Sequence, residues 1–158
     1  MQQRTYIKQL AEKKEVHLQG WIHAIRDFPK AKFIVLRDVT GVVQCVVKPD
    51  NKIFDKVSTF TIESVVDIQG IVKPAKLTSP ELTVNNLEVE VKSINVMNKA
   101  EPLPIQVFEK DKSIVTDLSL RLDNRSLDLR KPRNNAIFKI QSEISTSFRE
   151  FFKRNGFV

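Results

Sequence analysis

The stretch Trp21-Ile-His-Ala-Ile-Arg26-Asp-Phe-Pro-Lys-Ala-Lys-Phe33-Ile-Val-Leu-Arg-Asp38-Val-Thr-Gly41-Val-Val-Gln44-Cys-Val-Val47 decides the fold. It reads as consecutive strands, because Phe33 to Leu36 and Val42 to Val47 are short apolar runs with turn residues between them. Asp38 to Gly41 supplies the tight turn. With Asp38 opposite Gly41, Phe33 falls opposite Val46 and Val35 opposite Gln44. Residues directly opposite share a face, so Phe33, Val35, Gln44 and Val46 are expected together on the outward face. Val35 and Val46 would be partly buried there by the curl of the sheet.

Working outward, Val16, Leu18, Gly20 and Ile22 alternate with polar or amphipathic residues and mark the first strand, with Gly20 suited to a bend or a close backbone approach. Asp27 to Lys32, with Pro29, reads as the connection to the second strand. Asn51 to Ile62 has Ile53, Phe54, Val57 and Phe60 at helical spacing, which predicts a helix bridging two parts of a sheet. Glu63 to Val72 is a fourth strand, and Leu82 to Val96 a long fifth with a bulge expected at Asn85 and Asn86. Residues 1–14 suit a short helix or arm. Three strands, a helix and two strands is the order of the five-stranded Greek-key barrel called the OB fold, although a plain β meander shares it. The fold class is therefore mostly β.

Pro102 and Pro104 forbid regular structure and favour an extended connection between Ala100 and Val107. Residues 108–132 read as charged and loop-like, with leucines interleaved among Arg121, Arg125 and Arg130. From Pro132 the pattern turns helical: Ile137, Ile140, Ile144, Phe148 and Phe151 form one stripe, Pro132 suits the start and Gly156 the stop.

Lys and Arg number 26 against 19 Asp and Glu, giving +7 and favouring a polyanionic partner. Up to residue 100 the balance is fifteen to eleven, and after it eleven to eight, so the excess is spread over folded segments rather than held in a tail. The single cysteine, Cys45, lies between Val43 and Val47 and reads as a small core residue, with no disulfide or cysteine zinc site available within the chain. No apolar run suits a secretion signal or a membrane span, so a cytoplasmic protein is expected.

A β ribbon that exposes a ring, an amide and cations suits single-stranded nucleic acid, since the ring stacks on a base, the amide reads its edge and cations hold phosphate. Taken singly, Phe33 reads as a core aromatic and Gln44 as a solvated strand residue. Arg26 and Lys32 are by default solvent-facing charges, and Trp21 packs in the core or at its rim. His17 and His23 have no carboxylate or cysteine cluster beside them, so no metal site is expected. Asp123 and Asp128 sit near arginines and suit a salt-bridge network better than a catalytic pair.

These residues carry a family likeness. Gly20-Trp21 to Arg26, Phe33 with Leu36-Arg37-Asp38, Gly41 to Gln44, and Glu63-Ser64-Val65-Val66-Asp67-Ile68-Gln69-Gly70 resemble the anticodon-binding domain of class IIb aminoacyl-tRNA synthetases. The block Arg121-Leu122-Asp123-Asn124-Arg125-Ser126-Leu127-Asp128-Leu129-Arg130 resembles the hinge of the aspartyl enzymes of archaeal and eukaryotic type. The last helix with Asn155-Gly156-Phe157-Val158 resembles the opening of class II motif 1. The resemblance implies an anticodon-binding domain over 1–100, a linker and hinge over 101–131, and the start of a class II catalytic domain over 132–158. It implies that Phe33 stacks on the middle anticodon uridine and Gln44 hydrogen-bonds it. By the same likeness Arg26 is an anticodon-loop cation, Glu88 lies near the first anticodon base, and Glu81 is in the loop that approaches the third.

The implied function is anticodon recognition within an aspartate-tRNA ligase, with tRNA(Asp), and tRNA(Asn) as a second candidate, for partners. The full-length enzyme would use ATP and Mg2+ and form a homodimer. A free-standing single-strand binding module and an asparaginyl-type or non-discriminating synthetase are the alternatives. Motifs 2 and 3, which build the family's ATP and amino-acid site, have no counterpart in these 158 residues, and the motif 1 likeness stops before its proline. No residue is expected to be catalytic, and no cofactor is expected in the chain itself. The chain alone should therefore fail to catalyse magnesium-dependent exchange of labelled pyrophosphate into ATP, which a filter assay would measure.

Overall fold

The computed structural model describes residues 3–107 and 116–158. Residues 1–2 of the expected arm, and residues 108–115 of the segment read as charged and loop-like, lie outside the described residues. The chain divides into two compact units, Met1–Pro102 and Leu103–Val158.

In the first unit, strands β1 (Glu15–Phe28), β2 (Ala31–Arg37), β3 (Val42–Val47), β4 (Val65–Pro74) and β5 (Leu87–Asn98) close into a barrel in the order β1-β2-β3-β5-β4. The pairing of β3 with β5 is parallel and the others are antiparallel. β1 serves two neighbours: Glu15 to Trp21 pairs with β4, and Trp21 to Phe28 with β2. It runs further than the sequence reading placed it, because Pro29 sits in the turn beyond its end, where a missing N–H breaks no ladder bond. Gly20 is needed for close approach, since a Cβ there would lie 2.3 Å from the Arg37 carbonyl oxygen. Leu18, Ile22, Ile34, Leu36, Val47 and Ile68 are among the side chains that fill the barrel. Cys45 packs among them, and its thiol is pushed up to about 12, first by burial and then by the charge of Glu88, so it is inert packing.

Two further elements of the first unit differ from expectation. The segment read as a helix over 51–62 is a short 3-10 helix, Asp55–Thr59, within a run of turns. Asn51 donates from Nδ2 to the Val91 carbonyl at 2.8 Å and accepts from the Ile53 N–H at 3.1 Å, so its side chain ties the segment to β5 and competes with a regular helical start. β5 begins at Leu87 rather than Leu82, and Asn85 and Asn86 are not a bulge. Their carbonyls accept from Leu77 and Ala75, holding residues 75–86 as a loop folded back on itself. The irregularities in the β4–β5 pairing fall instead between Val65 and Val66 and between Gln69 and Gly70.

The second unit contains α1 (Leu118–Asp123), α2 (Arg125–Asp128) and α3 (Pro132–Arg154), so residues 118–128 are two short helices where a loop was expected. Asp128 is fully buried and accepts from Arg121 Nε at 2.9 Å, Arg125 Nη1 at 2.6 Å and Asn134 Nδ2 at 2.9 Å, with Lys131 Nζ at 3.7 Å. The hydrogen bond from Arg121 leads in holding its carboxyl below the usual carboxylate range. The expected network thus centres on Asp128, while Asp123 is exposed. α3 ends in a Schellman motif: Gly156 adopts φ +80°, the Phe157 N–H reaches the Phe152 carbonyl, and the two rings meet edge to face at 5.4 Å.

The turn after β2 is organised by Asp38, which is buried. Its Oδ1 accepts from the Thr40 N–H and hydroxyl at 2.6 and 2.7 Å and from the Gly41 N–H at 2.9 Å. Its Oδ2 accepts from the Ile7 N–H at 2.9 Å, and this fixes the 3-10 helix Ile7–Gln9, the ordered form of the expected arm, with Ile7 in the core. Asp38→Ala would strand these donors and should lower stability by about 3 kcal/mol, seen as a reduced urea midpoint at unchanged slope.

Candidate nucleic-acid interface

Side chains of a strand alternate between faces, and in β1 that alternation is broken once. Val16, Leu18 and Ile22 point into the barrel, the register with β2 shifts between Ile22 and Ala24, and beyond the shift Ile25 packs on the core. Ala24, Arg26 and Phe28 are thereby turned to the outer face, beside Phe33 and Val35 of β2. The bulge is anchored by the Ile22 N–H to the Ser64 carbonyl at 2.9 Å and the Glu63 N–H to the Ile22 carbonyl at 2.7 Å. His23 is buried at the bulge, its Nδ1 3.4 Å from Arg37 Nη1. Arg37 also pairs with Glu63 at 2.9 Å and lies over the partly buried Trp21 ring.

The outer face gathers all five residues singled out from sequence. Arg26 is opposite Phe33, Phe33 opposite Val46, and Val35 opposite Gln44, the register read from the turn. Phe33 is half-buried. Gln44 is buried, and its Nε2 donates to Glu88 Oε2 at 3.2 Å. Arg26 Nη2 donates to Ser79 Oγ at 2.8 Å and lies 3.4 Å from Glu81 Oε2. An aromatic ring is thus flanked by a cation–carboxylate pair and an amide–carboxylate pair.

Val35 is fully buried, but the curl of the sheet is not what buries it. With Ala24 and Leu82 it forms a second small apolar cluster, against which Leu77 and Val42 pack. The 75–86 loop folds over the outer face and brings Ser79 and Glu81 to Arg26. Lys32 departs from its expected place as a solvent-facing charge: it is buried, contacts Ser58 Oγ, pairs with Asp27 at 3.2 Å and lies 4.8 Å from the Phe54 ring centroid.

Sequence reasoning missed Phe28, which is 53% exposed and meets Phe33 edge to face at 6.0 Å. The signal was the apolar step from Ile22 to Ile25, which breaks a period of two. It also missed Ser79, and Glu90 with its partners Lys48 at 3.0 Å and Lys73 at 3.6 Å. The Lys48 hydrogen bond leads in holding the Glu90 carboxyl below its usual range. Among the described residues no group of three or more His, Cys, Asp or Glu could hold a metal ion. His17 Nε2 lies 2.7 Å from Asp67 Oδ2. No helix among them is long and apolar enough to cross a membrane.

Burial first, and the Arg37 charge second, lower the His23 pKa from 6.5 to about 4. The folded state holds this imidazole neutral while the unfolded state protonates it at higher pH. Its contribution is complete above pH 6.5 and is lost as the pH falls toward 4, on the order of 3 kcal/mol across that window. Urea titrations at several pH values should show this slope in the difference between the wild type and His23→Asn.

Residues 16–94 match the model of the OB-fold nucleic acid binding domain, and residues 117–158 that of the class II tRNA synthetases (D, K and N). The chain is 41% identical over 157 residues to the aspartate–tRNA(Asp) ligase of Picrophilus torridus, an alignment covering 98% of this chain and 35% of that protein. It is 39% identical over 149 residues to the aspartate–tRNA(Asp/Asn) ligase of Methanococcus vannielii, covering 92% and 32%. Among solved structures, the aspartyl tRNA synthetase from Entamoeba histolytica superposes with a TM-score of 0.82 at 32% identity, over 99% of this chain and 38% of that one. The asparaginyl-tRNA synthetase from Pyrococcus horikoshii does so at 0.78 and 28%, over 99% and 35%. The chain spans about a third of the length of the curated relatives it matches. By its barrel the chain belongs to the OB-fold nucleic acid binding domains, and the segment that follows is similar to the class II tRNA synthetases of the D, K and N group.

Proposed function

We propose that this chain reads the anticodon of an aspartate tRNA, as the tRNA-binding part of an aspartate–tRNA ligase. The observation that carries the reading is the meeting of Arg26, Phe33, Gln44, Glu81 and Glu88 on one outer face of an OB barrel. Phe33 offers a ring for the middle base of the anticodon. Gln44 offers an N–H and a carbonyl, which match the mixed donor and acceptor edge of uracil. Glu88, already bonded to Gln44, fixes the amide orientation and serves the first base, while Glu81 and Arg26 serve the third base and the loop backbone.

The tRNA is tRNA(Asp), with tRNA(Asn) the second candidate because the relatives include proteins named for both. The full-length enzyme is a cytoplasmic homodimer that uses ATP and Mg2+ to attach aspartate. The described residues provide no metal-holding cluster, and no step through ATP or Mg2+ is assigned to them.

Phe33→Ala should weaken binding of an aspartate tRNA by about 1–3 kcal/mol while the unfolding midpoint stays near that of wild type. Replacing the middle anticodon uridine should weaken wild-type binding by a similar order. Filter binding of both tRNAs to both proteins measures this, and equal affinity of the wild type for the two tRNAs would favour a general single-strand binder instead.

A further inference from the structure

Phe28 stands at the end of β1, turned outward by the bulge at His23 and two residues beyond Arg26. Among the described residues of the first unit it is the one aromatic side chain in the exposed range. Its cross-strand partner is the small Ala31, so no large side chain stands across from its ring. Its ring and that of Phe33 lie 6.0 Å apart with their planes at 73°, an edge-to-face corner rather than a stack. Lys30 is exposed at the tip of the same hairpin, and Arg26 lies opposite Phe33.

We propose that Phe28 is a second stacking platform, taking the nucleobase next to the one that lies on Phe33. The inference rests on the anticodon reading above and extends it. Two rings at a steep angle cannot hold two bases in a continuous stack. They fit consecutive bases splayed apart by a sharp turn of the backbone, as in a single-stranded loop. The phosphate linking such bases would pass near Lys30 and Arg26, whose charges match it. Residue 28 would then be a specificity contact by position, fixing which neighbour of the middle base must be unstacked.

The test is a double-mutant cycle read by fluorescence anisotropy, using this chain and anticodon stem-loop RNAs of an aspartate tRNA. The loops are intact or carry one abasic nucleotide, at the middle anticodon position or at either neighbour. Phe28→Ala should weaken the intact loop about tenfold, with Phe28→Trp binding near wild type and Phe28→Leu, apolar but without a π face, remaining weak. An abasic site at one neighbour should cost the wild type about tenfold and Phe28→Ala nothing further, whereas the middle abasic site should cost both proteins alike. Unchanged affinity in Phe28→Ala, wild-type affinity in Phe28→Leu, or an equal Phe28→Ala loss on every abasic loop would overturn the proposal. Phe33→Ala run in parallel separates the two readings. If it weakens the intact loop and loses its effect on the middle abasic loop while Phe28→Ala does nothing, the anticodon reading stands and only the second platform falls.

Discussion

The outer face depends on a single extra residue in β1. A strand alternates strictly, so without the bulge the pattern that buries Val16, Leu18 and Ile22 would carry Ala24, Arg26 and Phe28 inward and push Ile25 out. Burying an arginine and expelling an isoleucine would disfavour the barrel, and the shift at His23 removes both penalties together. Its place is fixed because β1 changes partners there: Trp21 is the last residue paired with β4 and the first paired with β2. The chain at Glu63 and Ser64 bonds both backbone groups of Ile22 just before the bulged residue, and Glu63 adopts φ 67° in that turn. Arg37, itself partly buried, then links Trp21 to the buried His23 and Glu63.

Within the barrel, elements set by local chemistry were legible in the sequence, and those set by contacts distant in the chain were not. The β2–β3 register followed from the turn alone, because Asp38 can collect the N–H groups of Thr40 and Gly41 only in a short connection. The stop of α3 followed from Gly156 for a similar local reason. The helix expected over 51–62 had the right apolar spacing, yet Asn51 is held by β5, forty residues away in sequence, and only Val57 of the 3-10 helix is buried. Leu82 reads as a strand residue because it is apolar, but its partners are Ala24 and Val35 on the outside of the barrel. Of the site, Phe33 and Gln44 sit on the hairpin whose register was readable. Phe28 depended on a bulge carried by His-Ala-Ile, with no glycine to announce it.

The second apolar cluster also ranks the forces that hold the site. The Arg26–Glu81 pair is long, at 3.4 Å, and both side chains are one-third exposed. Such a pair contributes roughly 0–1 kcal/mol. Burial of Leu82 against Val35 and Ala24 is worth about 1.5–3 kcal/mol, and Thr83 Oγ1 adds a hydrogen bond from the Val42 N–H at 2.8 Å. Apolar contact and backbone capture therefore position the 75–86 loop, and the ion pair follows. Arg26 can leave Glu81 for a nucleic-acid ligand without the loop losing its seat.

Charge on the outer face points the same way. The cations Arg26, Lys48 and Lys73 stand there beside the carboxylates Glu81, Glu88 and Glu90, so the charges around the reading residues are largely matched. Cations already paired with carboxylates gain little from the counterion release that drives indiscriminate binding to phosphates. Discrimination must then come from stacking and from base edges, where the two side-chain types differ. A carboxylate only accepts, so it favours edges with amino or imino N–H groups, such as the N4 amine of cytosine, and repels a bare carbonyl. The Gln44 amide both donates and accepts, but its bond to Glu88 commits one N–H and thereby sets which way the carbonyl points. In the proposed reading, affinity rests on the aromatic corner, while selectivity rests on carboxylates that a general single-strand binder would have no reason to place among its cations.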